Sequence, residues 1–250
     1  MRPGHFWIQV IVDPEWRSRG IGSMLFDSAL RFAQSRNASA LESVVRDDDS
    51  QSLHFAEGRG YQIERHSFDS ALDLIAFDEA KFSDELERVK SAGFCFFSLA
   101  EAGSLSEELK RKLYELNRIT ALDNPGNHRT FPGYESFSKN VFDASWFRAD
   151  TQLLAAHGDH WVGMSAIAFY PEDNHAFNAF TGVLPEYRGR GLATVLKLHA
   201  IRLAQQLGVR YIRTNNDSQN APMLAVNHKL GYKPEPGSYQ LICKLGDKNT

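Results

Sequence analysis

Residues 14–25, PEWRSRGIGSML, recur as residues 185–196, PEYRGRGLATVL, and the agreement continues at one fixed offset of 171 residues. Arg17 matches Arg188 and Gly60-Tyr61 matches Gly231-Tyr232; between them Leu25, Ala29, Phe32 and Ala33 fall on Leu196, Ala200, Leu203 and Ala204 without a gap. Such a period is too long for a solenoid unit and suits one whole domain, so the 250-residue chain reads as two related domains in tandem.

Both copies share one local order. An apolar run, Phe6–Val12 or Ala179–Leu184, reads as a strand and ends at a Pro-Glu pair. An Arg/Gly-rich loop then opens into an amphipathic helix carrying the aligned apolar positions, with Gly208 as the stop of the second one. A second strand follows, 40–45 or 209–214, then a polar turn, Asp47-Asp48-Asp49-Ser50 or Asn215-Asn216-Asp217-Ser218, that caps a further helix. The unit is strand, loop, helix, strand, helix, strand, with a parallel crossover between its first two strands.

The loops carry the chemistry. Arg17-Ser18-Arg19-Gly20-Ile21-Gly22 and Arg188-Gly189-Arg190-Gly191-Leu192-Ala193 place glycine where the chain turns from strand to helix. Successive N–H groups at such a helix start form a concave donor site, and the positive end of the helix dipole adds attraction for phosphate. No Gly-Lys-Ser/Thr follows, and the third glycine of the dinucleotide fingerprint is missing, so both of those nucleotide-binding classes drop out.

Composition excludes other classes. Hydrophobic residues are 42% and charged residues 24% of the chain, values of a folded globular protein. Lys plus Arg is 28 against 31 for Asp plus Glu, a net charge of −3 that argues against nucleic-acid or anionic-membrane partners. Cys95 and Cys243 are far apart and form no ligand spacing, so neither a disulfide framework nor a metal site is expected. No cleavable leader or bilayer-length apolar run is evident, and a cytoplasmic setting is the expectation.

R-x-x-G-x-G/A between a strand and a helix resembles the acetyl-CoA pyrophosphate loop of the GNAT acetyltransferase superfamily. Asn220-Ala221-Pro222-Met223-Leu224 through Gly231-Tyr232 resembles the helix that follows the superfamily's fifth strand. The resemblance is closest to tandem GNAT proteins, the arrangement seen in mycothiol synthase. It implies an α/β fold (α+β in some schemes), a mixed sheet flanked by helices, with an incomplete N-terminal copy. The boundaries expected are a partial repeat at 1–80, a linker helix at 81–92 and a complete domain at 93–250. In the last, Phe94–Leu99, Gln152–Ala156 and Trp161–Phe169 are strands, 106–123 and Tyr134–Phe142 are helices, and His157-Gly158-Asp159-His160 is a hairpin turn.

The same resemblance implies acetyl-CoA as co-substrate, held in a wedge between two splayed strands. Backbone N–H groups of Arg188, Gly189, Arg190, Gly191, Leu192, Ala193 and Thr194 are then the pyrophosphate seat, Val183 presents main-chain groups to the acetyl end, and Asn220 bonds the pantetheine arm. Arg17, Arg19, Gly20 and Gly22 are the corresponding group in the first copy. The family's frequent acid, a Tyr four residues before the terminal glycine, is replaced by Asn227 and Ala56, so the catalytic residues stay unassigned. Simpler readings suit other features: His157, His160, His175 and His228 as surface histidines, Glu172-Asp173 as a hydrated turn, and Asp47-Asp48-Asp49 as a cap.

Two functions remain. One is an acetyl-CoA-dependent N-acetyltransferase passing an acetyl group to a small amine by direct attack on the thioester. The other is a non-catalytic acyl-CoA-binding or interaction module. Only 13 residues precede Pro14, whereas a whole half-domain precedes Pro185, so the first copy is expected to be catalytically inactive, with Phe6–Val12 at an open sheet edge. Covering that edge by the C-terminal domain or by homodimerisation through the N-terminal repeat is the further expectation, unless the chain is a piece of a longer protein.

Overall fold

The computed structural model describes residues 2–124, 130–170, 172 and 174–246. The chain forms two compact units: Met1–Phe68 with Asp217–Gln219 and Pro236–Thr250, and Asp69–Asn216 with Asn220–Glu235. Among the described residues no helix is long and apolar enough to cross a membrane.

Unit 1 contains β1 (His5–Trp7), α1 (Ile21–Ser35), β2 (Ala40–Arg46), α2 (Ser50–Glu57), the first part of β3 (Gln62–Asp73) and β10 (Ser238–Lys244). Its strand order is β1-β2-β10-β3. β1 is parallel to β2, as the crossover requires, and β10 is antiparallel to both of its neighbours. The core gathers Ile8, Phe26, Ala33, Leu41, Tyr61 and Leu241. On α1 the buried stripe is Phe26 and Ala33, flanked by Ala29 and Leu30, whereas Leu25 and Phe32 are 46% and 58% exposed. Alignment with the second copy had placed those two inward. Helical spacing puts Phe26 and Ala33 on the sheet side, and Leu25 and Phe32 lie beyond that stripe.

The expected strand Phe6–Val12 is also shorter, because β1 leaves β2 early. The Ile8 N–H donates to the Glu42 carbonyl at 2.9 Å, and residues 8–13 then run outside any ladder. The apolar character of that run comes from the cleft it lines, described below, rather than from strand pairing.

Unit 2 contains α3 (Ser83–Ser91), β4 (Phe94–Ser98), α4 (Glu107–Ala121), α5 (Tyr134–Val141), β5 (Gln152–His157), β6 (His160–Tyr170) and β7 (His175–Val183). α6 (Leu192–Gln206), β8 (Tyr211–Asp217), α7 (Ala221–Lys229) and β9 (Lys233–Pro234) complete it, although Asp217 packs with unit 1. Its strand order is β3-β8-β7-β6-β5-β4, with β9 on the other side of β3. α6 buries Val195, Leu196, Leu198, Ile201 and Ala204 against one face of the sheet. α4 covers the other, where Leu113 and Leu116 meet Leu154, Met164 and Ala166. Along β6, Val162 lies toward α6 and Met164 toward α4, although residues two apart share a face in a regular strand; the β5–β6 register slips here, with Ala155 opposite Gly163 and Ala156 opposite Trp161, and this bulge shifts the phase of the pleat.

These units cut across the boundaries read from the repeat. Residues 236–250, the end of the second copy, complete unit 1 by inserting β10 between β2 and β3. Residues 69–80, the end of the first copy, and the linker segment that holds α3 belong to unit 2, where Ser70 and Ala71 pair with Pro234 and Lys233. The segment 93–250 is therefore not a whole packing unit. Leu72, Leu74 and Phe82, which lie upstream of it, are buried in the unit 2 core.

Candidate functional site

The two Arg/Gly loops have the same construction. In unit 1 a short turn at Pro14–Trp16 precedes Arg17, whose Nε donates to the Val12 carbonyl at 3.0 Å. In unit 2 the turn Pro185–Tyr187 precedes Arg188, whose Nε donates to the Val183 carbonyl at 3.0 Å. The first arginine of each motif thus ties the loop to the end of the preceding apolar run. The second stacks on the aromatic that follows Pro-Glu: Arg19 lies 4.9 Å from the Trp16 ring and Arg190 5.4 Å from the Tyr187 ring. Positive φ recurs two residues apart, at Ser18 and Gly20 (59° and 82°) and at Gly189 and Gly191 (73° and 87°). This left-handed backbone is why glycine stands at the helix start in both copies.

In unit 1 the loop faces open space. A side chain added at Gly20 meets no atom within 4 Å. The loop, the diverging residues 8–12 and β2 enclose a cleft of about 430 Å3. Val10 and Val12 line it together with Ser43–Val45, and Gly20, Gly22 and Ser23 contribute the start of α1. Phe26 and Tyr61 also line it, in edge-to-face contact at 6.2 Å. Burial pushes the Tyr61 hydroxyl up to about 12, so it stays neutral and can donate a hydrogen bond. The cleft joins main chain that lies outside any ladder along one wall to a helix N-terminus at one end, which suits an extended amide-bearing chain with a phosphate head.

In unit 2 the same loop position is covered. A Cβ on Gly191 would come within 2.9 Å of both Arg88 Nη2 and Glu85 Oε1 on α3. Glu85 is bonded to Lys229 and lies 3.8 Å from Arg88, while the Arg88 side chain is 62% exposed. Val183 is 8% exposed, and Asn220 caps α7 by accepting from the Met223 N–H at 3.3 Å.

Between β7 and β8 lies a buried polar network. The pairing of these strands stops at Phe177↔Arg213. Asn178, the next residue on β7, donates through Nδ2 to Ser165 Oγ, the Ala166 carbonyl and the Phe180 carbonyl, and accepts at Oδ1 from Lys197 Nζ at 2.6 Å. Lys197 is 1% exposed, and burial lowers its ammonium to about 7. Nearby, Nδ2 of the buried Asn227 donates to Asn216 Oδ1 at 2.7 Å, so the residue standing in place of the family's tyrosine is already engaged. Tyr232 OH and Asn227 Oδ1 are buried without a hydrogen-bond partner among the described residues. The β6–β7 register slips at this point: Ala166 pairs with Phe180 and Ile167 with Asn178, which leaves Ala179 opposite no residue.

Asp173 lies outside the described residues, and its neighbour Glu172 is exposed. Sequence reading missed Lys197, Asn178 and the Glu85–Arg88 pair. A signal for the first was present: Lys197 stands between Leu196 and Leu198 on an apolar helix, at the position aligned with Phe26. Glu85 and Arg88 belong to a segment without a counterpart in the repeat comparison.

The acetyltransferase (GNAT) family model matches residues 2–61 and 113–232, which include both loops. The chain is 23% identical over 240 residues to a mycothiol acetyltransferase from Saccharomonospora viridis, covering 90% of this chain and 70% of that protein. Among solved structures it is similar to a GCN5-related N-acetyltransferase from Sphaerobacter thermophilus, with a TM-score of 0.67 and 19% identity over 93% of this chain and 70% of that one. A tandem GNAT protein from the clavulanic acid biosynthesis pathway gives a TM-score of 0.61 and 22% identity, over 96% and 75% of the respective chains. The duplicated loop, the mixed sheet flanked by helices and a family match across most of both repeats agree: this chain belongs to the GNAT acetyltransferase family.

Proposed function

We propose that the chain is an acetyl-CoA-dependent N-acetyltransferase that passes an acetyl group to a small amine by direct attack on the thioester. The observation that carries the acyl-CoA part is the cleft of unit 1, where a strand end, a glycine loop and a helix start open onto one space of about 430 Å3. The residues fit the group: a side chain at Gly20 would project into empty space, and the first-turn N–H groups of α1 stand beside it to take a pyrophosphate. Residues 8–12 offer main-chain groups to the pantetheine amides. Bound acetyl-CoA supplies an acyl carbon activated as a thioester. The second seat is Val183 with Arg188–Thr194 and Asn220. There Glu85 and Arg88 must rotate before a pyrophosphate reaches the loop, and the exposure of Arg88 leaves room for it.

Both copies lack the family's tyrosine, but unit 1 has Phe26 where unit 2 has Lys197, which supports transfer by the second copy and a binding role for the first. The second reading, a non-catalytic acyl-CoA-binding module, is favoured by the engagement of Asn227 with Asn216. Release of free CoA in the presence of amines separates the two readings.

Calorimetric titration with CoA tests the seats. Gly20→Glu adds bulk and negative charge to the open seat and is expected to weaken the tighter site by about 100-fold or more. Gly20→Ala, which pays only the left-handed backbone cost of about 1 kcal/mol, keeps most of the affinity. Unchanged affinity in folded Gly20→Glu would move acyl-CoA out of unit 1. Glu85→Gln removes the carboxylate at Gly191 and is expected to strengthen CoA binding at the second loop about tenfold, within the range of one charge at a helix N-terminus. No gain in the second binding step would mean that Glu85 does not compete with phosphate.

A further inference from the structure

Unit 2 holds another cavity, of about 280 Å3, between α4, α5 and the surface of β6 and β7 that faces them. Its walls include Phe131, Phe137, Trp146, Met164 and Phe180, and no charged side chain lines it among the described residues. Two polar side chains reach it, Asn117 and Gln152. The Gln152 amide nitrogen is spent on the Arg148 carbonyl and Thr151 Oγ1, both at 3.2 Å. The Asn117 amide has no hydrogen-bond partner among the described residues. Ala179, the residue left out of the β6–β7 ladder, also lines the cavity.

Size and polarity together select the occupant. An apolar cavity of about 150 Å3 accepts benzene, so the larger space here takes an aromatic ring with a short arm. A second ammonium inside it would lose its water and meet no carboxylate. Asn117 offers one oxygen to an amine N–H.

We propose that this cavity is an acceptor pocket for amines that carry one aromatic or branched aliphatic group, with Asn117 receiving the amine and the aromatic walls receiving its substituent. The proposal rests on the acetyltransferase reading for its role in turnover. In the reaction the amine nitrogen forms a bond to the acetyl carbon and the carbon–sulfur bond breaks. The amine's surplus proton leaves to solvent, and the thiolate departs with the electron pair. The cavity disfavours polyamines, whose second ammonium would meet no counter-charge, and amino sugars, whose hydroxyls would lose their water against apolar walls.

The test is binding without any acyl donor, read by calorimetry and by the fluorescence of Trp146, using 2-phenylethylamine and 1,4-diaminobutane as probes. The aromatic amine is expected to bind saturably and on the order of 100-fold tighter than the diamine, the margin that burying a ring supplies. Val141→Trp narrows the cavity from the end of α5 and is expected to weaken 2-phenylethylamine about tenfold or more. Asn117→Asp supplies the missing charge and is expected to narrow or reverse the preference, which keeps the proposal testable if the tryptophan variant does not fold. Equal affinity for the two amines, or an unchanged preference in Asn117→Asp, overturns it. A chain that binds the aromatic amine but not CoA keeps the pocket and loses the acetyltransferase reading. A chain that acetylates the diamine in preference to 2-phenylethylamine keeps that reading and loses the pocket.

Discussion

A chain ending at Glu235 is expected to lose unit 1 as a folded body. β10 pairs with β2 at seven positions, from Ser238↔Arg46 to Lys244↔Ala40, and with β3 at five, from Ser238↔Ser67 to Ile242↔Gln62. Without it β2 and β3 each face an empty gap, and Leu241 and Cys243, 2% and 8% exposed, leave the core that holds Ile8, Phe26 and Leu41. Losing one buried leucine costs about 2–5 kcal/mol, and each broken ladder bond adds roughly 1 kcal/mol. Against a total stability of about 5–15 kcal/mol, that loss removes the fold. Hydrogen exchange resolved by peptide is the measurement: residues 2–68 should exchange at the rate of an unfolded chain. Continued protection of β2 in the shortened chain would show that β10 is dispensable.

The strand exchange is also where sequence reading falls short. The helices and strands of each copy follow from spacing: Leu196, Ala200 and Ala204 mark the buried face of α6, and Gly158-Asp159 turns the β5–β6 hairpin as composition suggests. A repeat offset reports descent, however, and not which strand packs beside which. Nothing in QIERHSFDSALD tells that β3 serves unit 1 with its first half and unit 2 with its second. The site divides in the same way. Glycine at the loops was legible because positive φ demands it. The arginine side chains have local roles, Arg17 and Arg188 on backbone carbonyls and Arg19 and Arg190 stacked on aromatics, contacts that span five residues or fewer and are within reach of the motif alone. The cover over Gly191 is not, since it is formed by a helix about one hundred residues upstream.

Stability is expected to rise with pH between pH 7 and 9, and Lys197→Met is expected to abolish most of that rise. Lys197 is buried on α6, where its ammonium has one hydrogen bond among the described residues, to Asn178, and its Nζ lies 4.8 Å from the Tyr232 ring. Burial sets its folded value at about 7 against an ordinary value of 10.5. Between those values the unfolded chain holds the proton and the folded chain does not, so raising the pH favours folding, and the penalty is complete below 7. From pH 7 to 9 the gain is roughly 2 kcal/mol. Other shifted groups act at or beyond the edges of this range: His199, lowered to about 4, costs stability only as the pH falls below its ordinary value of 6.5, the Cys243 thiol, raised by burial, opposes the rise only as the pH reaches its ordinary value of 9, and Tyr61 and Tyr232, both raised, act above 10. Methionine keeps the length and apolar stem while Asn178 Oδ1 retains Thr181 Oγ1 at 3.1 Å, so the variant should fold, with a urea midpoint nearly level across this range and at least equal to the parent's at pH 7. An identical pH slope in parent and variant would place the Lys197 ammonium in contact with water. At the aligned position unit 1 uses Phe26, which packs in its core with no such penalty. The second copy therefore carries a cost that the first avoids, located beside the bulge at Ala179 and tied to it through Asn178.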